Sequence, residues 1–129
     1  MVRAVVELFD SGELRPSAEL VCSRSGVSSA SLFRYFRTLD DLYGAAFDQQ
    51  VARATRLARM DGIGGLEVRE RIERFVAGRL DVYEVTVGVG RMARARAIDH
   101  PDVASALDRA RRRWLSQVLV VFGPELERE

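Results

Sequence analysis

Apolar residues recur at helical spacing along most of the chain, and short polar or glycine-rich segments separate the repeats. Apolar side chains three or four positions apart lie on one face of an α-helix, so each repeat predicts a helix. Seven helices are predicted, at residues 1–9, 17–25, 28–36, 38–60, 66–87, 91–98 and 101–122. The sequence shows neither the alternation typical of strands nor the fixed period of a repeat protein. The predicted fold class is therefore all-α.

Capping residues place the first helix boundaries. Ser17, Ser28 and Thr38 each precede an apolar repeat, and their hydroxyls can accept hydrogen bonds from the backbone N–H groups that open a helix. Gly26 lies where the second helix ends, and glycine readily adopts the left-handed conformation common there. The sequence thus predicts two short helices joined by a tight turn and followed by a long helix.

Glycine and proline divide the second half of the chain. The segment 61–65 (DGIGG) predicts the end of the fourth helix, Gly88 and Gly90 are expected to end the fifth, and Gly123-Pro124 the seventh. The inner stripe of the fourth helix is predicted at Leu42, Ala46, Gln49 or Gln50, Arg53 and Leu57. The inner face of the fifth helix is predicted at Ile72, Phe75, Val76, Leu80, Tyr83 and Val87.

Composition narrows the class of protein. The chain has 129 residues, of which 47% are hydrophobic, and no apolar run is long enough for a membrane span. We therefore expect a soluble, cytoplasmic protein without a signal peptide. The single cysteine, Cys22, cannot form an intramolecular disulfide, and it is expected to pack in the core. The net charge of +1 does not by itself indicate nucleic-acid binding.

The stretch from Gly26 to Tyr43, GVSSASLFRYFRTLDDLY, resembles a known sequence motif. It is similar to the GVS-x-x-[ST]-[LF]-[YF]-x-[YH]-F signature of the tetracycline-repressor-like (TetR) family of transcriptional regulators. The resemblance is close over roughly the first 50 residues and follows only the helical pattern beyond them. It implies a helix-turn-helix DNA-binding domain at residues 1–38 and a helical ligand-binding and dimerisation domain at residues 39–129.

The resemblance implies that the helix Ser28–Phe36 lies in the major groove of a palindromic operator. The candidate DNA-binding residues are Ser17, Ser28, Ser29, Ser31, Phe33, Arg34, Tyr35, Arg37 and Thr38. Arg34 can bond guanine O6 and N7, whereas the hydroxyl groups are suited to phosphate. Phe33 and Leu39 stand where the family often has a phosphate-binding tyrosine and lysine, which predicts a shallower salt dependence. The alternative is that these residues are only a solvated polar surface.

A ligand pocket among the later helices is also implied by the resemblance. Its candidate lining residues are Met60, Phe75, Arg79, Tyr83, Met92 and Trp114. Arg79 could meet an acidic group of a small-molecule effector. For each residue taken singly, core packing is the competing interpretation, and for Arg79 it is a surface position.

The family usually has a basic arm before the first helix and two further helices that form a homodimer. Because the chain contains neither, we expect it to be incomplete, with a defined homodimer only at native length. The 129-residue chain should expose Leu115, Leu119 and Val120 and associate nonspecifically.

The predicted function is a ligand-responsive DNA-binding transcriptional regulator, most simply a repressor. The alternative is a helical ligand-binding or protein-interaction module whose DNA-binding helices are vestigial. No catalytic constellation is present, so an enzyme is not expected. No cofactor or metal is predicted, because His100 is the only histidine and has no partners at ligand spacing.

Overall fold

The computed structural model describes residues 1–128, which form six α-helices and one 3₁₀ turn without any β-strand. The predicted all-α class is therefore confirmed. The helices are α1 (Val2–Asp10), α2 (Ala18–Ser25), α3 (Ser29–Tyr35), α4 (Leu39–Leu57), α5 (Val68–Arg96) and α6 (Pro101–Leu126). The 3₁₀ turn, Ile63–Gly65, lies between α4 and α5 and includes part of the predicted break.

The predicted helix caps are confirmed. Gly26 ends α2 in the left-handed conformation, with φ of 73°. Three backbone N–H groups each donate to a capping hydroxyl at 3.1 Å: Leu20 to Ser17, Ser31 to Ser28, and Asp41 to Thr38. Each cap satisfies one of the donors that a helix start leaves without an intrahelical acceptor. The α2–α3 turn is therefore fixed from both sides by local chemistry.

The larger hydrophobic core joins the N-terminal helices to α5. Its buried residues are Val5, Leu8, Phe9, Val21, Leu32, Leu42, Tyr43, Ala46, Val89 and Met92. Phe9 meets Tyr43 edge to face, with 5.4 Å between ring centroids. Since Val89 and Met92 belong to α5, this core takes residues from both sides of the predicted boundary at residue 38. The division into two domains stays a prediction.

The predicted break at Gly88 and Gly90 is wrong, because α5 runs without interruption from Val68 to Arg96. The predicted separate helix at residues 91–98 is consequently the end of α5. A Cβ at Gly88 would lie 2.8 Å from the carbonyl carbon of Phe9 and 2.7 Å from the backbone nitrogen of Asp10. Gly88 thus permits α1 to cross α5 at close range. The helix tolerates it because an interior glycine costs only about 1 kcal/mol.

The predicted end of the last helix at Gly123-Pro124 is also wrong, since α6 continues to Leu126. Proline removes one N–H donor, and the carbonyl that would have received it belongs to Val120, which is 81% exposed, so water can take the donor's place. Arg71 of α5 fixes the last turns of α6: it donates to the Val121 carbonyl at 2.7 Å and pairs with the Glu125 carboxylate.

The predicted inner face of α5 is mostly exposed. Ile72, Val76, Leu80 and Tyr83 are 48–60% exposed, whereas α5 turns Gly78, Val82, Gly88, Val89 and Met92 toward the other helices. Leu115 and Leu119 of α6 are also exposed, as predicted. We call the following residues the α5–α6 apolar face: Ile72, Val76, Leu80, Tyr83, Leu115 and Leu119.

The fourth helix shows a smaller difference. Its predicted stripe is correct at Leu42, Ala46 and Gln50, but Arg53 and Leu57 are exposed, and Ala54 is buried instead. The helix also ends at Leu57, three residues before the predicted end. The buried residues Leu42, Ala46, Gln50 and Ala54 are spaced four apart throughout, whereas the predicted stripe changed to a step of three before Arg53.

Candidate nucleic-acid interface and ligand cavities

The outer side of α3 presents polar and aromatic side chains to solvent. Leu32 is fully buried and holds α3 against the core, while Ser29 and Arg34 are exposed. Tyr35 is 73% exposed and Phe33 is 45% exposed. Two exposed aromatic rings on a seven-residue helix are not explained by core packing. Because they are two positions apart, Phe33 and Tyr35 lie on opposite flanks of α3 with Arg34 between them.

Several candidate hydroxyl groups already have intramolecular partners. The Ser17, Ser28 and Thr38 hydroxyls accept the capping hydrogen bonds, and the Ser28 hydroxyl donates to that of Ser31 at 3.1 Å. Ser31, a candidate DNA-binding residue, is half-buried. A hydroxyl that accepts a capping bond can still donate its own proton, so the caps leave Ser17 and Thr38 able to bond a phosphate oxygen. The Ser28 hydroxyl already donates to Ser31.

The charge of this surface is positive although the charge of the whole protein is almost balanced. Residues 20–38 contain three arginines and no acidic residue. Arg24 lies 3.6 Å from the Glu7 carboxylate, whereas Arg34 and Arg37 form no ion pair within the described chain. The start of α4 is instead acidic, because Asp40 and Asp41 occupy its first turn. These carboxylates repel any further anion, such as a phosphate, at that helix end.

A network around Arg96 joins the start of α4 to the end of α5. Arg96 pairs with Asp40 at 2.6 Å and lies over the Tyr43 ring, 5.3 Å from its centroid. Its Nη2 atom is 3.3 Å from Nε2 of His100. Burial raises the pKa of Tyr43, whose hydroxyl donates to the Pro16 carbonyl at 2.6 Å. The segment before α2 is thereby connected to the α5–α6 turn.

Sequence analysis missed this network. His100 lies one turn after Arg96, and sequence analysis considered it only as a possible metal ligand without partners. Its interaction with Arg96 has a local signal, the spacing of four residues at a helix end. The pair of Arg96 with Asp40 has none, because the fold alone brings these residues together.

Two cavities lie among α4, α5 and α6. The junction cavity, of about 160 Å³, lies beside the Arg96 network and is lined by Phe47 and Met92 among others. The inter-helix cavity, of about 180 Å³, reaches from α4 outward between α5 and α6, and Tyr83 and Trp114 line it. Three of the six predicted ligand-binding residues therefore line a cavity. Met92 lines the junction cavity, whereas Tyr83 and Trp114 line the inter-helix cavity.

The other three predicted residues, Met60, Phe75 and Arg79, line neither of these two cavities. The Met60 side chain covers Gly78 of α5 at the opposite end of the bundle. Phe75 packs edge to face on Phe122, with 5.4 Å between ring centroids. The ligand-binding assignment stays a prediction.

Arg79 is held by aromatic rings and not by an acid. Its guanidinium lies 4.7 Å from the Phe75 centroid and 4.9 Å from the Trp114 centroid, and it donates to the Trp114 carbonyl at 2.7 Å. Burial lowers the pKa of Arg79. Its contacts make it a support for Trp114, which is half-buried and packs on the cluster of Ala54, Ala58 and Val82.

No group of three or more potential ligands within residues 1–128 is placed to hold a metal ion. None of the described helices combines the length and apolar character that crossing a membrane requires. In comparisons with known proteins, no protein-family model matches the chain, and no significant match was found among curated proteins or solved structures.

Proposed function

We propose that this protein is a DNA-binding transcriptional regulator in which α2 and α3 form a helix-turn-helix unit. The observation that carries the proposal is the outer side of α3. It exposes Ser29, Phe33, Arg34 and Tyr35, free of acidic residues, on a helix that buries Leu32 behind it. A short helix held across a tight turn by a preceding helix is the arrangement with which such units enter the major groove.

Each exposed side chain has a distinct role in this proposal. Arg34 bonds guanine O6 and N7, which gives sequence preference, whereas the Tyr35 and Ser29 hydroxyls bond phosphate oxygens, which fixes the position of α3 on the duplex. Phe33 has no hydroxyl and contributes apolar contact, as to a thymine methyl group. Arg37 adds a charge contact to the backbone. Few charged contacts predict a shallow salt dependence.

Control by a small-molecule effector is the second part of the proposal. The Arg96 network connects α4, which follows the DNA-binding helices, to the turn between α5 and α6. A ligand that shifts α5 or α6 would therefore act on the position of α4. In a homodimer, major-groove half-sites one turn apart are about 34–36 Å apart, so a small rotation of α4 spoils the match. The ligand's affinity must then fall by the same factor when DNA is bound.

The experiment begins with selection of duplexes from a random-sequence library, followed by gel-shift titration of the best duplex. Arg34→Ala should cost on the order of 1–3 kcal/mol of binding free energy and relax the preference at one base pair. Tyr35→Phe should weaken all duplexes about equally. Arg56→Ala is the matched control, because Arg56 is exposed near the far end of α4 and forms no ion pair in the described chain.

Unchanged affinity of both α3 variants would exclude α3 as the recognition helix. A second candidate function is then favoured by the α5–α6 apolar face: a ligand-binding or protein-interaction module with vestigial DNA-binding helices. In that case, the library selection should enrich no sequence.

A further inference from the structure

The inter-helix cavity has an apolar interior. Its walls come from three helices and include Phe47, Val51, Val87, Leu107, Ala110 and Trp114. Its volume of about 180 Å³ is slightly larger than the cavity of about 150 Å³ that holds a benzene ring in a helical protein. A single aromatic ring, or an aliphatic group of that size, fits the cavity.

The outer edge of the cavity is basic. Arg94 of α5 and Arg111 of α6 line it and are exposed, as is Tyr83. Arg94 folds back along its own helix, so that a Cβ at Gly90 would lie 3.2 Å from its Nη1 atom. Neither arginine forms an ion pair within residues 1–128. Two guanidinium groups therefore border an apolar space without an acid to balance them.

The junction cavity offers no comparable set of charges. Its Asp40 is already paired with Arg96 at 2.6 Å, and its Asp102 lies in the first turn of α6, where a carboxylate stabilises the helix. Asp48 also lines this cavity and forms no ion pair within residues 1–128, so the uncompensated charge there is negative. Of the two, only the inter-helix cavity therefore has unbalanced positive charge at its edge.

We propose that the inter-helix cavity binds a small carboxylic acid with one ring or an aliphatic body of similar size. The apolar body packs against Trp114 and Leu107, and the carboxylate bonds Arg94 and Arg111 at the cavity edge. A guanidinium suits this task because its paired N–H donors match the two carboxylate oxygens. The role of this acid as an effector rests on the proposed function, but its binding does not.

The fluorescence of Trp114 reports on the site directly, because it is the only tryptophan of the chain. Titration of the full chain with benzoate should give a saturable change, which isothermal calorimetry measures independently. Benzamide and benzyl alcohol have the same ring without the charge and should bind at least about tenfold more weakly, the factor expected for the loss of a charge-assisted hydrogen bond.

Two variants separate the charge from the cavity. The double substitution Arg94→Gln and Arg111→Gln should weaken benzoate binding by roughly tenfold or more and leave benzamide binding unchanged. Arg109→Gln is the control, because Arg109 is exposed on the same helix and does not line the cavity. Ala110→Phe fills the cavity and should abolish the binding of all three compounds.

Equal affinity for the three compounds, or equal loss in the control variant, would overturn the proposal. The absence of saturable benzoate binding up to about 10 mM would also overturn it, because even a poor ligand has a Kd in the millimolar range. These results do not depend on DNA. The gel-shift titration of the α3 variants is an independent measurement. A failure of this site can therefore be distinguished from a failure of the proposed function.

Discussion

Gly88 determines how closely α1 packs on α5. A side chain there would meet the backbone of Phe9 and Asp10, which cannot move aside as a flexible side chain could. We expect Gly88→Ala to destabilise the protein by about 1–3 kcal/mol, the usual cost of overpacking. The free energy of unfolding, from urea titration, measures the effect.

Gly44 provides the matched control for this prediction. It lies inside α4, and a Cβ at this position would meet nothing within 4 Å. Gly44→Ala should therefore stabilise the protein by about 0.5–1 kcal/mol, because alanine loses less backbone freedom on folding than glycine. The same chemical change thus has opposite signs at the two sites. Equal effects would show that α1 does not cross α5 as described.

At the scale of single elements, the end of α6 depends on one ion pair. The hydrogen bond from Arg71 lowers the pKa of Glu125 from its usual 4.5. A carboxyl whose pKa is lower in the folded state adds stability above its unfolded pKa, and this stability is lost as the pH falls through the folded pKa. Glu125→Gln should therefore lower the melting temperature at neutral pH, and the difference should shrink below pH 4.5.

Glu127→Gln is the control for Glu125, since Glu127 is exposed just after α6 and forms no ion pair in the described chain. Its melting temperature should follow that of the wild type at both pH values. A Glu125→Gln effect of equal size at neutral and acidic pH would mean that the ion pair does not hold the last turns of α6.

The elements also show what the sequence can and cannot predict. The caps at Ser17, Ser28 and Thr38 were predictable because each bond joins residues three positions apart. Gly88 and Pro124 were misjudged because the features that explain them depend on how the helices pack: the close approach of Phe9 to Gly88, and the exposure of Val120 before Pro124.

The site follows the same rule. The exposed side of α3 was predictable from the helical period, since burial of Leu32 leaves its neighbours outside. The phase of α5 was not, because two of its faces carry apolar residues and only the contact with α1 and α4 decides between them. Arg94, Arg96 and Arg111 were missed for a related reason: their partners or neighbours come from other helices.

At the scale of the whole molecule, the α5–α6 apolar face is, apart from the aromatic residues of α3, the main exposed hydrophobic surface within residues 1–128. Its two rows flank the contact between Phe75 and Phe122, so the surface is two helices wide. We expect the 129-residue chain to associate through this face in a concentration-dependent manner, without a single defined size. Light scattering over a range of concentrations measures this directly.

Charges placed on the face test that expectation. Leu80→Glu combined with Leu119→Glu should give a monomer at all concentrations, whereas Arg109→Gln on the outer side of α6 should behave as the wild type. A clean, stable dimer of the wild-type chain would instead show that this surface specifies one partner geometry.

The shortness of α3 has a consequence for the energetics of recognition. Seven residues are too few for an isolated helix to persist, and α3 packs chiefly on α2 and buries one side chain fully. Local opening therefore costs α3 less free energy than it costs α4 or α5, and its amide hydrogens exchange with solvent sooner. In the proposed complex, the duplex supplies the packing surface that α3 lacks on its outer side. Part of the contact free energy then goes into ordering the helix, so that binding carries an unfavourable entropy and the DNA completes a local folding reaction.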